Sequence, residues 1–158
     1  MGFTLRDYEP EDFATLYEID RACYPAEIAY SKRELRAYLQ MPGAECVVVE
    51  AAGAIAGFCV SAYHNSRGHI VTIDVLEQFR RTGAGSSLLH EVEQRLAANG
   101  VREVWLETAT DNESAIAFWQ KHGYRTCGIR TGYYPGGRDA FSMEKTIASP
   151  ATKSKESR

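Results

Sequence analysis

Apolar and polar residues recur along this chain with two periods, and the periods predict its elements. Phe3 to Glu9 reads as a first strand. Pro10 follows and suits the first turn of a helix, whose apolar stripe is Phe13, Leu16, Tyr17 and Cys23 and which stops at Tyr24-Pro25. After a connection from Ala26 to Tyr30, Ser31 with Glu34 predicts a capping box. The second helix buries Leu35, Tyr38 and Leu39 and ends at Met41-Pro42-Gly43. Glu45 to Ala51 and Ile55 to Tyr63 are strands about an Ala52-Gly53 hairpin turn, and Asn65 to Gly68 is another turn. β-branched residues alternate from Ile70 into a fourth strand, which runs into the turn Arg80-Arg81-Thr82-Gly83-Ala84-Gly85. Leu88, Leu89, Val92 and Leu96 then mark a helix that closes at Asn99-Gly100.

Val104 to Thr108 is a fifth strand. Ala115, Phe118, Trp119 and His122 form the buried face of a last helix, capped by Thr110 with Glu113 or by Asp111 or Asn112 and closed by Gly123. Tyr124 to Arg130 and Ala140 to Thr146 are final strands joined by the turn-rich loop Gly132 to Gly137. About seven strands and four helices, in the order β-α-α-β-β-β-α-β-α-β-β, predict an α/β chain with a mixed sheet and helices on both faces. Residues 1–147 read as a single domain, and the polar tail 148–158 as disordered.

Composition narrows the function classes. The chain has 158 residues, 44% of them hydrophobic and 25% charged, ordinary for a globular protein. Its net charge of −3 gives no whole-molecule attraction to nucleic acid, and no apolar run approaches a membrane span. The N-terminus lacks a signal-peptide core, and Gly2 is not followed by the residues of a myristoylation motif. Cys23, Cys46, Cys59 and Cys127 are widely spaced, so free, buried thiols in a cytoplasmic, reducing compartment are expected. They form no metal-ligand spacing with His64, His69, His90 or His122, and no metal is expected.

The organising chemistry is the turn after the fourth strand. A helix N-terminus leaves its first amides without helical partners and carries the positive end of the dipole, so it binds anions. Gly83 and Gly85 let phosphate oxygens approach the backbone, and Arg80 and Arg81 add charge at the rim. The turn lacks the lysine of a nucleoside-triphosphate loop, and the third glycine and downstream acid of a dinucleotide fingerprint.

The element order with Arg80-x-x-Gly83-x-Gly85 resembles the GNAT family of acyl-CoA N-acyltransferases. Asn112 to Tyr124 (NESAIAFWQKHGY) is similar to a helix of that family, and YYPGGRDAFSM to the ends of the ribosomal-protein-alanine and other protein N-terminal acetyltransferases. The resemblance covers roughly residues 3 to 146. It implies a sheet splayed between strands four and five and acetyl-CoA as donor. It places the pantetheine arm along Ile73, Asp74 and Val75, and the pyrophosphate at the amides of Arg81, Thr82, Gly83, Ala84, Gly85 and Ser86. Asn112 contacts the cofactor, and Trp119 takes the place of a tyrosine near its sulfur. Glu107, in Trp105-Leu106-Glu107, matches the catalytic base, with Asp74 a second carboxylate one strand over. Tyr133 and Tyr134 line the peptide groove, and Tyr30-Ser31 stands where the family has Trp-Ser in the substrate loop.

An indole cannot deliver a proton in this range. The thiolate therefore leaves unprotonated, or Tyr133, Tyr134 or Tyr124 reaches it. The function expected is transfer of acetyl from acetyl-CoA to a protein N-terminal α-amine, with Glu107 as base in a ternary complex. The alternatives are a small-amine acetyltransferase and a weakly catalytic acyl-CoA-binding module. A monomer or homodimer is expected, without nucleic-acid or membrane partners.

Overall fold

The computed structural model describes residues 2–147; the tail expected to be disordered lies outside the described residues. The elements are β1 (Thr4–Asp7), α1 (Phe13–Cys23), α2 (Lys32–Gln40), β2 (Ala44–Ala51), β3 (Ala54–His64), β4 (Arg67–Val75), α3 (Ala84–Ala98), β5 (Glu103–Ala109), α4 (Glu113–Lys121), β6 (Arg125–Arg130) and β7 (Ala140–Thr146). Short 3-10 turns at Pro10–Asp12 and Glu77–Phe79 precede α1 and follow β4. The sheet has the strand order β1-β2-β3-β4-β5-β7-β6. The described residues form two compact units, those to Ala62 with Ile70–Arg95, and Tyr63–His69 with those from Leu96 on.

In the first unit, β1, β2 and β3 pair antiparallel, Val48 facing Phe58. Ala52 and Gly53 both take positive φ, 54° and 78°, which matches the twist of a two-residue hairpin. α1 and α2 bury Leu16, Ile19 and Leu35 against Cys46, Val48, Phe58 and Val60. Truncating a fully buried leucine such as Leu16 to alanine costs about 2–5 kcal/mol, so this cluster fixes both helices on the sheet. The predicted capping box is present: the Ser31 hydroxyl accepts from the Glu34 amide at 3.1 Å, and Glu34 accepts from the Ser31 amide at 2.8 Å.

In the second unit, β4 pairs in parallel with β5 over three positions, Arg67–Glu103, Gly68–Val104 and His69–Trp105. The ladder ends there, after the short parallel stretch that the resemblance implies. β5 pairs antiparallel with β7 from Glu103–Thr146 to Ala109–Ala140, and β7 with β6. Val104, Leu106, Trp119, Tyr124 and Met143 are buried.

Three expectations are corrected. β4 begins at Arg67, inside the expected turn, because Asn65 alone (φ 55°) supplies the left-handed residue the reversal needs. α3 begins at Ala84, within the glycine turn. Of the cysteines expected to be buried, Cys23 is only half-buried, and Cys127 is exposed, since β6 is the edge strand and all six of its residues are open to solvent.

Candidate active site

In the first unit the glycine turn has the backbone its sequence demands. Arg81 (φ 61°) and Gly83 (φ 94°) are left-handed, and α3 starts immediately after them. Among the described residues a Cβ on Gly83 would meet only the Phe3 ring, at 3.9 Å, so the backbone here leaves room for a ligand. The Thr82 hydroxyl bonds the Phe79 carbonyl and steadies the turn. Amides at a helix start and an open left-handed glycine fit a pyrophosphate. Arg80 is placed differently from a simple rim charge: its Nε donates to the Val75 carbonyl at 2.8 Å.

That bond belongs to a series. Tyr30 Oη donates to the Val71 carbonyl at 3.3 Å, Tyr24 Oη to the Ile73 carbonyl at 3.0 Å, and Cys23 Sγ to the Val75 carbonyl at 3.5 Å. Side chains from the end of α1 and the loop after it thus reach alternate carbonyls of β4, which face one way along a strand. No local pattern marks the three bonds from Cys23, Tyr24 and Tyr30, because each joins residues more than forty positions apart. The Asp74 side chain is buried and accepts from Thr72 Oγ1 at 2.6 Å.

In the second unit, Glu107 sits on β5 opposite Ser142 of β7, its side chain only 7% exposed. Its Oε1 is 2.8 Å from His69 Nε2, and its Oε2 is 4.0 Å from Arg130 Nε. Burial pushes the carboxyl up, but the His69 hydrogen bond and charge, the Arg130 charge and a hydrogen bond with Trp105 outweigh it. The net effect holds Glu107 below the ordinary carboxylate value, so it is ionised at neutral pH. His69 stacks on Trp105 at 4.6 Å, and the Arg67 guanidinium lies 4.5 Å from the Trp105 centroid. His69 is the functional candidate that sequence reading missed. The usable signal is strand register: His69 and Trp105 are a cross-strand pair, and Glu107 lies two residues on, on the same face.

Tyr133 and Tyr134 pack ring edge to face at 4.9 Å in the β6–β7 loop. The loop is closed by Tyr134 N to Arg138 O and Gly137 N to Tyr134 O, at 3.0 and 3.1 Å. Burial, then Tyr133 and the Glu107 charge, raise the Tyr134 hydroxyl above its ordinary value. Asn112 caps α4, its Oδ1 accepting from the Ala115 amide at 3.2 Å. Trp119 is 5% exposed and packs edge-on against Phe118 and Tyr124.

The sequence model of the acetyltransferase (GNAT) family matches residues 13–124. The chain belongs to the GNAT family. Members of the family transfer acetyl from acetyl-CoA, and the open turn before α3 fits the anionic part of that donor. Among GNAT relatives, the N-alpha-acetyltransferase of Saccharolobus solfataricus is 27% identical over 161 residues, spanning 92% of this chain and 93% of the relative. The ribosomal protein bS18-alanine N-acetyltransferase of Escherichia coli K12 is 26% identical over 151 residues, spanning 92% and 98%. The crystal structure of Ard1 from Thermoplasma volcanium superposes with a TM-score of 0.84 at 27% identity, covering 94% of this chain and all of that one.

Proposed function

We propose that this GNAT acetyltransferase acts on the N-terminal α-amine of a polypeptide, with Glu107, held by His69, as its base. Acetyl-CoA supplies the acetyl group as a thioester; the turn Arg81–Ser86 would hold its pyrophosphate and Ile73–Val75 its arm. The observation that carries the reading is the ionised, nearly buried Glu107 held by His69 and Arg130. Likeness over nearly the whole chain to two proteins named as α-amine acetyltransferases supports the acceptor class.

The acceptor suits the base. An α-amine of pKa about 8 is already neutral in roughly a tenth of molecules at pH 7, whereas a lysine amine is neutral in about one of a few thousand. A carboxylate held below its ordinary value is a weak proton acceptor by itself. It serves because the amine becomes strongly acidic only as its new N–C bond forms, and Glu107 then accepts that proton directly or through water. Asp74 is buried and turned away from solvent, which favours Glu107 over it.

The leaving thiolate is stable enough, at a thiol pKa of about 8.5, to depart with a hydrogen bond alone. Tyr134, whose hydroxyl stays protonated, would give that bond, and Tyr133 and Tyr134 would line the peptide path. Tyr30, in the loop between α1 and α2, is a separate candidate contact for the acceptor. The four cysteines are all free, which suits the cytoplasm. A panel of short peptides and small amines, followed by release of free CoA, tests the proposal. Peptides with free N-termini should be acetylated faster than amino acids, polyamines or the same peptides blocked at the N-terminus. Preference for a small amine over every peptide would overturn it.

A further inference from the structure

Asp20 of α1 and Asp74 of β4 are each about 1% exposed. Each has one oxygen satisfied: Asp20 Oδ2 accepts from the Tyr30 amide at 2.7 Å, and Asp74 Oδ1 from Thr72 Oγ1 at 2.6 Å. The other two oxygens, Asp20 Oδ1 and Asp74 Oδ2, are buried without a hydrogen-bond partner among the described residues. Yet the two side chains lie within hydrogen-bonding reach of one another. Two carboxylates cannot bond, since neither has a hydrogen to donate. One proton between them satisfies both oxygens at once and removes one of two buried like charges.

We propose that Asp20 and Asp74 share one proton and form a positioning latch that pins the loop between α1 and α2 to β4, and that loss of this proton frees the loop. The latch acts where loop and strand meet. Asp20 holds the Tyr30 amide, while the hydroxyls of Tyr24 and Tyr30 bond the Ile73 and Val71 carbonyls. Asp20 and Asp74 are thus positioning residues; that they position an acceptor rests on the role proposed above for Tyr30.

The surroundings favour the shared proton. Burial first, then Asp20, pushes the Asp74 carboxyl well above the ordinary carboxylate range, while Thr72 and Tyr24 pull the other way. None of these groups is a cation. Cys23 at the end of α1, Cys46 of β2 and Cys59 of β3 feel the Asp74 charge, and burial keeps their thiols protonated. Arg80 acts on Cys23 and bonds the Val75 carbonyl.

Amide hydrogen exchange against pH tests the latch. The reference is the Leu35 amide, bonded within the α2 capping turn to Ser31 O at 2.9 Å. In the wild type, protection of the Tyr30 amide relative to Leu35 should fall at least about tenfold as the pH rises into the alkaline range. In Asp74→Asn, whose amide donates to Asp20 at any pH, it should stay flat. A flat wild-type profile, or the same fall in both proteins, would overturn the latch. Infrared spectra of the wild type give a reading that no variant has to fold for. A protonated carboxylic-acid carbonyl band at neutral pH that vanishes in alkali supports the proposal, and its absence refutes it. The ratio of the wild-type peptide KM to that of Asp74→Asn, which cancels the titration of the amine itself, should rise with pH. If exchange follows the latch but this ratio does not, the latch stands and the acceptor role of Tyr30 falls.

Discussion

Glu107 and His69, thirty-eight residues apart, meet at 2.8 Å across the end of a three-pair parallel ladder. A merely structural ion pair and a catalytic one differ in what their removal does. Glu107→Gln should lower kcat/KM by about 10²- to 10⁴-fold, the usual worth of a positioned base. Acetyl-CoA affinity, measured by calorimetry, should be unchanged, because the turn before α3 is intact. Loss of affinity in step with rate would remove Glu107 from the chemistry.

Acid stability gives an independent check on the same carboxyl. A group whose folded pKa is depressed stabilises the fold above its unfolded pKa, about 4.3 for glutamate, and that stability is lost as pH falls through the folded value. Glu107 is such a group. Wild-type urea midpoints should therefore fall more between pH about 5 and about 3 than those of Glu107→Gln. Parallel acid profiles would mean that His69 does not hold the carboxyl ionised.

Local signals account for what the sequence disclosed. The Ser31–Glu34 box, the Ala52–Gly53 turn and the left-handed Gly83 are each decided by neighbouring residues, and all three are where sequence reading puts them. Glu107 was legible as a residue but not as a pair, because its partner is set by the register of two strands joined through a whole helix. The same holds for Asp74: its polarity is plain in the sequence, but its meeting with Asp20 depends on how α1 lies on the sheet. The tyrosine bonds to the β4 carbonyls were hidden for a further reason. A carbonyl belongs to every residue, so nothing in a residue's identity marks it as an acceptor.

The Asp20–Asp74 pair should show in stability with the opposite sign from Glu107. A carboxyl whose folded pKa is raised binds a proton that the unfolded chain has given up above pH about 3.9. Its contribution therefore weakens as pH rises, by up to about 1.4 kcal/mol per pH unit, until the folded value is passed. Asp74→Asn titrates nothing, so its advantage over wild type should grow between pH about 5 and about 8 in urea unfolding. A constant difference across that range would mean that Asp74 is ionised in the fold.

Gly57 links packing to donor binding. A Cβ at this position would lie 2.3 Å from the Asp74 carbonyl oxygen and 3.1 Å from the Val75 Cα. Both are backbone atoms, so no side chain can swing away to make room. Gly57→Ala must push β3 and β4 apart where β4 carries Asp74 and Val75, and overpacking of this kind costs about 1–3 kcal/mol. The strand that shifts is the one proposed to run along the pantetheine arm. Gly57→Ala should therefore weaken acetyl-CoA binding in calorimetry at temperatures where circular dichroism shows it still folded. Gly128→Ala on the edge strand β6, where an added Cβ meets none of the described residues within 4 Å, is the matched control and should bind as the wild type does. Equal binding by the wild type and Gly57→Ala would show that the donor does not depend on the placement of β4.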